Sequence, residues 1–410
     1  MKASIVSIGN ELLSGQTLGT NTKYLCERLF SIGVPVVSSY IVGDDVDLIV
    51  RKLGLASEEG EIVLVTGGLG PTDDDVTRQA FSRFLGAELE VQEELLESIR
   101  EYFRKRDLQM PEKTKVQACI PSGARALVNS LGTAPGIRAE WKGRLLFAMP
   151  GVPSEMKRMF EELVFDELKK LAGGQFLFVR KLKCFGSGES HMAELLGSEI
   201  MKRGRTPLVN CTAHKGVVTL HIIATADTEN RAAEMVSKDE KLIRKSLGEL
   251  VYGSGEESLA EVVGQKLVEQ NKTIAVAESC TGGLLAKLLT DVAGASEYFT
   301  YGWVTYSNSA KTRELGVAPG LIEKYGAVSG EVAESMANGA RKKSGADFTV
   351  GITGIAGPAG GSEQKPVGLV YICVQSDKEC EIKRFVFSHN RSFVRLQAAQ
   401  TALNMVRLRF

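Results

Sequence analysis

Twice in this 410-residue chain, an apolar, β-branched run stops at a glycine-rich turn and restarts as a helical pattern. The first run is Glu61-Ile62-Val63-Leu64-Val65-Thr66, which enters Gly67-Gly68-Leu69-Gly70-Pro71-Thr72. The second covers residues 273–277 and enters Glu278-Ser279-Cys280-Thr281-Gly282-Gly283. A strand covered on both faces reads as a continuous apolar run, and a helix directly after it makes the βα unit of a parallel sheet. The carboxyl ends of such strands are where open α/β sheets bind ligands. The expected fold class is therefore α/β: two three-layer domains with mainly parallel sheets.

The rest of the chain fits that frame. Strand patterns over 4–8, 34–42, 61–66 and 145–149 alternate with helical patterns over 21–32, 45–55 and 91–106. Pro150-Gly151-Val152-Pro153 then opens a helix running to about 171. Gly173-Gly174 interrupts the alternation. Beyond it, 217–224 reads as a solitary strand and 229–247 as an amphipathic helix, a small α+β module. Gly253 to Ser258 reads as a linker. Helices over 259–269 and 282–290 and strands over 273–277, 301–306, 348–352 and 367–374 follow. The expected domains are 1–171, 172–252 and 253–410, in line with roughly 100–200 residues per domain.

Composition excludes several function classes. Lys+Arg and Asp+Glu are both 50, so no net field draws the chain to nucleic acid or an anionic membrane. The seven cysteines are odd in number and contain no C-x-x-C pair, which argues against a zinc site or a disulfide framework and for the reducing cytoplasm. The first apolar run is broken by Gly9-Asn10-Glu11, unlike a signal peptide. No window approaches the ~20 apolar residues of a membrane helix.

Ser279 falls between a strand and a helix, where two readings are open: a helix N-cap and a nucleophile. A serine nucleophile needs a base, and only one of four histidines, His389, lies in this part of the chain. A lysine base fits better. Lys311 falls in the first turn of a short helix, after Ser307-Asn308-Ser309 and before Gly316. The positive end of a helix dipole and partial burial both disfavour the ammonium form. Backbone N–H groups of Cys280, Thr281, Gly282 and Gly283 are then expected to hold an oxyanion or phosphate. Cys280 is a rival nucleophile. A second glycine turn, Thr353-Gly354-Ile355-Ala356-Gly357-Pro358, offers an anion nest. Arg391 and Arg395, four apart on one helix, suit either a phosphate clamp or a solvated face.

In the first domain, Asp73, Asp74 and Asp75 follow the Gly67–Gly70 turn, where they suit a divalent cation or a helix start. Asn10, Glu11 and Asp44 fall at the ends of neighbouring strands, so a carboxylate-lined cleft is expected.

Together these strings resemble the CinA family. In the last domain they are AESCTGG at 277–283, VTYSN at 304–308 with Lys311, GAVS at 326–329, TGIAGP at 353–358 and KPVG at 365–368. In the first they are GNELL at 9–13, GGLGPT at 67–72 with Asp74, Asp75 and Thr77, TAPG at 133–136 and PGVP at 150–153. The resemblance implies a nicotinamide-nucleotide amidase that converts nicotinamide mononucleotide to nicotinate mononucleotide and ammonia without a cofactor. Ser279 would be its nucleophile, Lys311 its base, and Tyr306, Thr353 and Arg395 positioning groups, with Gly354 and Arg391 among the substrate contacts. It also implies a molybdopterin-binding-like first domain that hydrolyses ADP-ribose to AMP and ribose 5-phosphate. Asp44, Asp74 and Asp75 would hold Mg, Mn or Co, and Asn10, Glu11, Gly67, Gly68, Gly70, Thr72 and Thr77 would contact substrate. A binding-only first domain, or an adaptor role in competence, remains an alternative. The middle module resembles a KH-type domain but lacks the G-x-x-G loop that grips RNA, so a spacer or dimerisation role and no direct nucleic-acid contact are expected. A cytoplasmic homodimer is the implied assembly.

Overall fold

The uninterrupted apolar runs are strands covered on both faces. The computed structural model describes residues 1–173 and 176–410, so Gly174 of the Gly173-Gly174 interruption lies outside the described residues. All six residues of β1 (Ala3–Ile8) are buried, whereas β2 (Val36–Val42) alternates at the sheet edge. The chain forms two compact units, residues 1–178 with 225–234, and 179–224 with 235–410.

The first unit is built on a six-stranded sheet. With β3 (Ile62–Thr66), β4 (Arg125–Leu127), β5 (Gly136–Trp141) and β6 (Arg144–Met149), its order is β2-β1-β3-β6-β5-β4. The first four strands in that order run parallel and the last two pair antiparallel. β1 lies between β2 and β3, so the chain leaves it first to one side and then to the other. This reversal opens a crevice at its carboxyl end.

The middle module carries the main correction. Residues 217–224 are not a solitary strand. They belong to β9 (Val217–Ala226) in a four-stranded sheet of order β8-β9-β7-β10, with β7 (Phe176–Cys184), β8 (Leu208–His214) and β10 (Val251–Ser254). A lone strand leaves its backbone groups unpaired, and β8 satisfies those of β9 from Leu208↔Ile223 to His214↔Val217. β10 also takes Gly253 and Ser254, the first two residues of the expected linker. Ser258 caps the next helix, Leu259–Glu269, through a reciprocal capping box with Glu261.

The last sheet has β11 (Ile274–Glu278), β12 (Phe299–Val304), β13 (Phe348–Gly354), β14 (Leu369–Gln375) and β15 (Cys380–Val386) in the order β12-β11-β13-β14-β15. β11 is parallel to both neighbours and repeats the reversal seen at β1. The helix Gly330–Ser344 packs close to β13: a Cβ at Gly351 would sit 2.1 Å from the Ala333 carbonyl oxygen. The helix Arg391–Arg407 buries Val394, Ala398, Ala402 and Val406 in the core that also holds Ile274, Val276 and Ile352. Among the described residues, no helix is long and apolar enough to cross a membrane.

Candidate active sites

Ser279 comes directly after β11, at the reversal, and its N–H donates to the Ile352 carbonyl at 3.0 Å. Its Oγ lies 2.9 Å from Lys311 Nζ. Lys311 sits in the helix Asn308–Leu315, whose first turn is capped by the Ser307 hydroxyl. Only 1% of Lys311 is exposed, and burial pushes its pKa below the ordinary lysine value. Its nitrogen also faces the carbonyl oxygens of Thr305 at 2.9 Å and Tyr306 at 3.4 Å. A neutral amine has two N–H donors and one lone pair. With the donors on the two carbonyls, the lone pair is left for the Ser279 hydroxyl. Burial also pushes the Cys280 thiol up to about 12, which keeps it a poor nucleophile at neutral pH.

The turn after Ser279 differs from the expected helix start. The helix is Leu284–Thr290, and Gly283 stands before it in a left-handed conformation (φ 87°). The first helical donors are not free for a ligand. Both oxygens of Glu278, fully buried at the end of β11, accept the N–H groups of Leu285 (3.1 Å) and Ala286 (2.8 Å). Sequence reading missed Glu278; its one signal was an acidic residue close before a helix. Among the described residues, the N–H groups of Cys280, Thr281 and Gly283 have no backbone acceptor. Thr281, an expected substrate contact, is wholly buried.

The remaining expected residues brace the loops around this centre. Arg395 does not stand beside Arg391 as a free clamp: its Nε and one terminal nitrogen both donate to the Thr281 carbonyl, at 3.1 and 2.6 Å. Arg391 donates to the Gly357 carbonyl at 2.8 Å and the Tyr306 hydroxyl at 2.7 Å. Tyr306 lies beyond the end of β12, with 59% of its surface exposed. Thr353 is buried and donates to the Ala327 carbonyl at 2.7 Å, and Gly354 ends β13 opposite Val370. Lys365, which sequence reading left without a role, donates to the carbonyls of Tyr325 (2.6 Å) and Val328 (2.8 Å).

The first unit holds a different kind of site. A cleft of about 390 Å³ is lined by Glu11, Asp44, Gly67, Gly68, Gly70, Asp74 and Asp75, together with Gln117, Thr133 and Glu155. Gly67 (φ 107°) has no room for a side chain, since a Cβ would lie 2.2 Å from the Ile8 carbonyl oxygen. Thr77, an expected substrate contact, is instead fully buried, with its hydroxyl on the Gly67 carbonyl at 2.8 Å. Thr72 donates its N–H to Asp75 at 2.9 Å, and the Asn10 N–H donates to Asp44 at 3.0 Å. Burial pushes the Asp44 carboxyl above its ordinary value; the Asn10 bond opposes that, and the charges of Glu11, Asp74 and Asp75 add to it. Beneath the glycine turn lies Arg78, 1% exposed, donating to the carbonyls of Leu69 and Gly70.

Among the described residues, no three His, Cys, Asp or Glu side chains form a ready metal cage. A hard divalent ion commonly uses one or two carboxylates and takes its other oxygens from water and substrate phosphates. The clustered, mutually repelling carboxylates fit that mode.

Sequence profiles of three families match the chain: a probable molybdopterin binding domain over 4–170, the KH domain of damage-inducible protein CinA over 179–253, and the CinA C-terminal domain over 256–410. A CinA-like protein of Kosmotoga olearia is 42% identical over 407 residues, covering 99% of this chain and 98% of its own. Another, of Dictyoglomus thermophilum, is 41% identical with the same coverage. A crystal structure of CinA from Thermoplasma acidophilum aligns at 33% identity over 40% of this chain and 96% of its own, with a TM-score of 0.38.

Proposed function

The chain belongs to the CinA family, and from that premise we propose that it is a bifunctional hydrolase of pyridine nucleotides. One site deamidates nicotinamide mononucleotide; the other splits ADP-ribose. The observation that carries the first reading is the buried Lys311 nitrogen 2.9 Å from the Ser279 hydroxyl, with two carbonyls to accept its own N–H groups.

The chemistry follows from that geometry. Lys311 takes the Ser279 proton as Oγ bonds to the carboxamide carbon, and the carbonyl oxygen becomes an oxyanion. Donors of the 280–283 turn stabilise it, the kind of preorganised contact that contributes most to acyl transfer. The C–N bond breaks, Lys311 returns its proton to the nitrogen, and ammonia leaves. A water molecule, deprotonated by Lys311, then attacks the serine ester. Nicotinate mononucleotide departs and the Ser279 hydroxyl is restored. The test is ammonia release by wild type, Ser279→Ala and Lys311→Ala. Loss in both folded variants supports the pair; full activity in Lys311→Ala rejects that base.

In the first unit, Asp44, Asp74 and Asp75 would hold a divalent ion, which when bound shields diphosphate charge and lowers the pKa of a bound water. Glycines 67, 68 and 70 let the diphosphate approach the backbone. A second reading, a cleft that only binds its nucleotide, is favoured by the lack of a preformed three-ligand cage among the described residues. AMP release from ADP-ribose that falls sharply in Asp75→Ala separates the two.

A further inference from the structure

The residue before the nucleophile is a wholly buried carboxylate. Among the described residues, Glu278 has no ion-pair partner; its hydrogen-bond donors are the N–H groups of Leu285 and Ala286. Those are the second and third residues of the helix Leu284–Thr290, the donors an N-cap side chain ordinarily serves. The N-cap here is Gly283, which has no side chain. Glu278 therefore caps the helix from five positions upstream and closes the intervening turn into a ring anchored at both ends. An exposed Ser or Asp would cap a helix without burying a charge, which is costly. The buried carboxylate has a second effect. It occupies the positive end of this helix, so the donors left for a developing oxyanion are those of the turn itself. Arg395 holds the same turn from the other side through the Thr281 carbonyl.

We propose that Glu278 is a positioning residue of the hydrolase centre. By capping Leu285 and Ala286 it holds residues 279–283 in the conformation that points Ser279 Oγ at Lys311 and the turn donors at the reacting carbonyl. The proposal rests on the amide-hydrolase reading of this site.

The test compares the full-length chain as wild type, Glu278→Gln and Glu278→Asp. The readouts are kcat and KM for ammonia release from nicotinamide mononucleotide, the pH profile of kcat/KM, the thermal midpoint, and the rate at which a fluorophosphonate labels Ser279, followed by intact mass. Glu278→Gln places an amide N–H against a backbone donor. It is expected to lower kcat and the labelling rate by about 10- to 100-fold, within reach of what a misplaced oxyanion donor costs. KM stays within about twofold and the limb set by Lys311 does not move, as expected when only groups that act in the transition state are displaced. Glu278→Asp keeps both oxygens on a shorter stem and is expected to lose less; it also serves if Glu278→Gln does not fold. Wild-type kcat in folded Glu278→Gln overturns the proposal. So does a shifted pH limb with kcat recovered at higher pH, because Glu278 would then act on Lys311 by charge. Wild type that labels but releases no ammonia removes the substrate reading, while slower labelling in the variant still upholds the positioning role.

Discussion

The two sites share a topological position and differ in nearly everything else. Each lies at the carboxyl end of a strand where the sheet order reverses, β1 in the first unit and β11 in the second. At β11 the chemistry is assembled from buried groups already in contact, Ser279, Lys311 and the braced turn. At β1 the acidic groups ring an open cleft without converging on one point. The contrast teaches that burial and completeness go together. Burial disfavours the charged form of an amine, whereas clustered carboxylates repel one another until a cation joins them.

The largest expected effect breaks the pairing outright. Ser279→Ala should lower ammonia release by at least about 10³-fold, the scale of losing a catalytic nucleophile, and leave AMP release from ADP-ribose unchanged. Asp75→Ala should do the reverse, with AMP release down by about 10- to 100-fold. A coupled-assay comparison of both variants checks this, and a variant that damages both activities would show the sites to be linked. A chelator should likewise stop AMP release and spare ammonia release, measured on the same sample.

The pH dependence sharpens the contrast. In the proposed mechanism Lys311 acts as a base only when neutral, and burial lowers its pKa. The amidase rate should therefore hold above that pKa and fall by about tenfold per pH unit below it; the limb should vanish from the residual rate of Lys311→Ala. Linkage gives the matching sign for stability. Between the lowered value and the ordinary 10.5 the unfolded chain binds the extra proton, so stability rises with pH across that window. The smallest effects concern support of the open cleft. Arg78→Met should lower stability by about 1–3 kcal/mol, because the Leu69 and Gly70 carbonyls lose their donor. Thr77→Val should cost about 1 kcal/mol for the lost bond to Gly67. Denaturant melts of each variant measure both.

What was legible in the sequence was what repeats locally. Buried strands announce themselves as unbroken apolar runs, and the turns after β3 and β11 as glycine clusters. Lys311 was legible because its helix cap lies four residues upstream, at Ser307. Long-range partners leave no such trace. β9 looked solitary because β8 is mostly exposed and mixes apolar with polar residues, without the unbroken apolar run of a buried strand. Glu278 looked like one acidic residue among many, and its role depends on helix donors brought back over it by a turn. The spacing of Arg391 and Arg395 left a phosphate clamp and a solvated face both open, because spacing along a helix shows which residues share a face, not which carbonyl each one meets.

The bond from Arg395 to the Thr281 carbonyl joins residues 114 positions apart. At about 5–20 residues per second of synthesis, Thr281 emerges on the order of ten seconds before the arginine that steadies it. Once Lys311 has followed, 30 residues after Thr281, the serine and lysine are both present without the helix that braces their turn. The Ser279–Lys311 pair is therefore steadied late in the emergence of its own domain, and a chain interrupted before Arg395 carries Ser279 on a turn not yet braced.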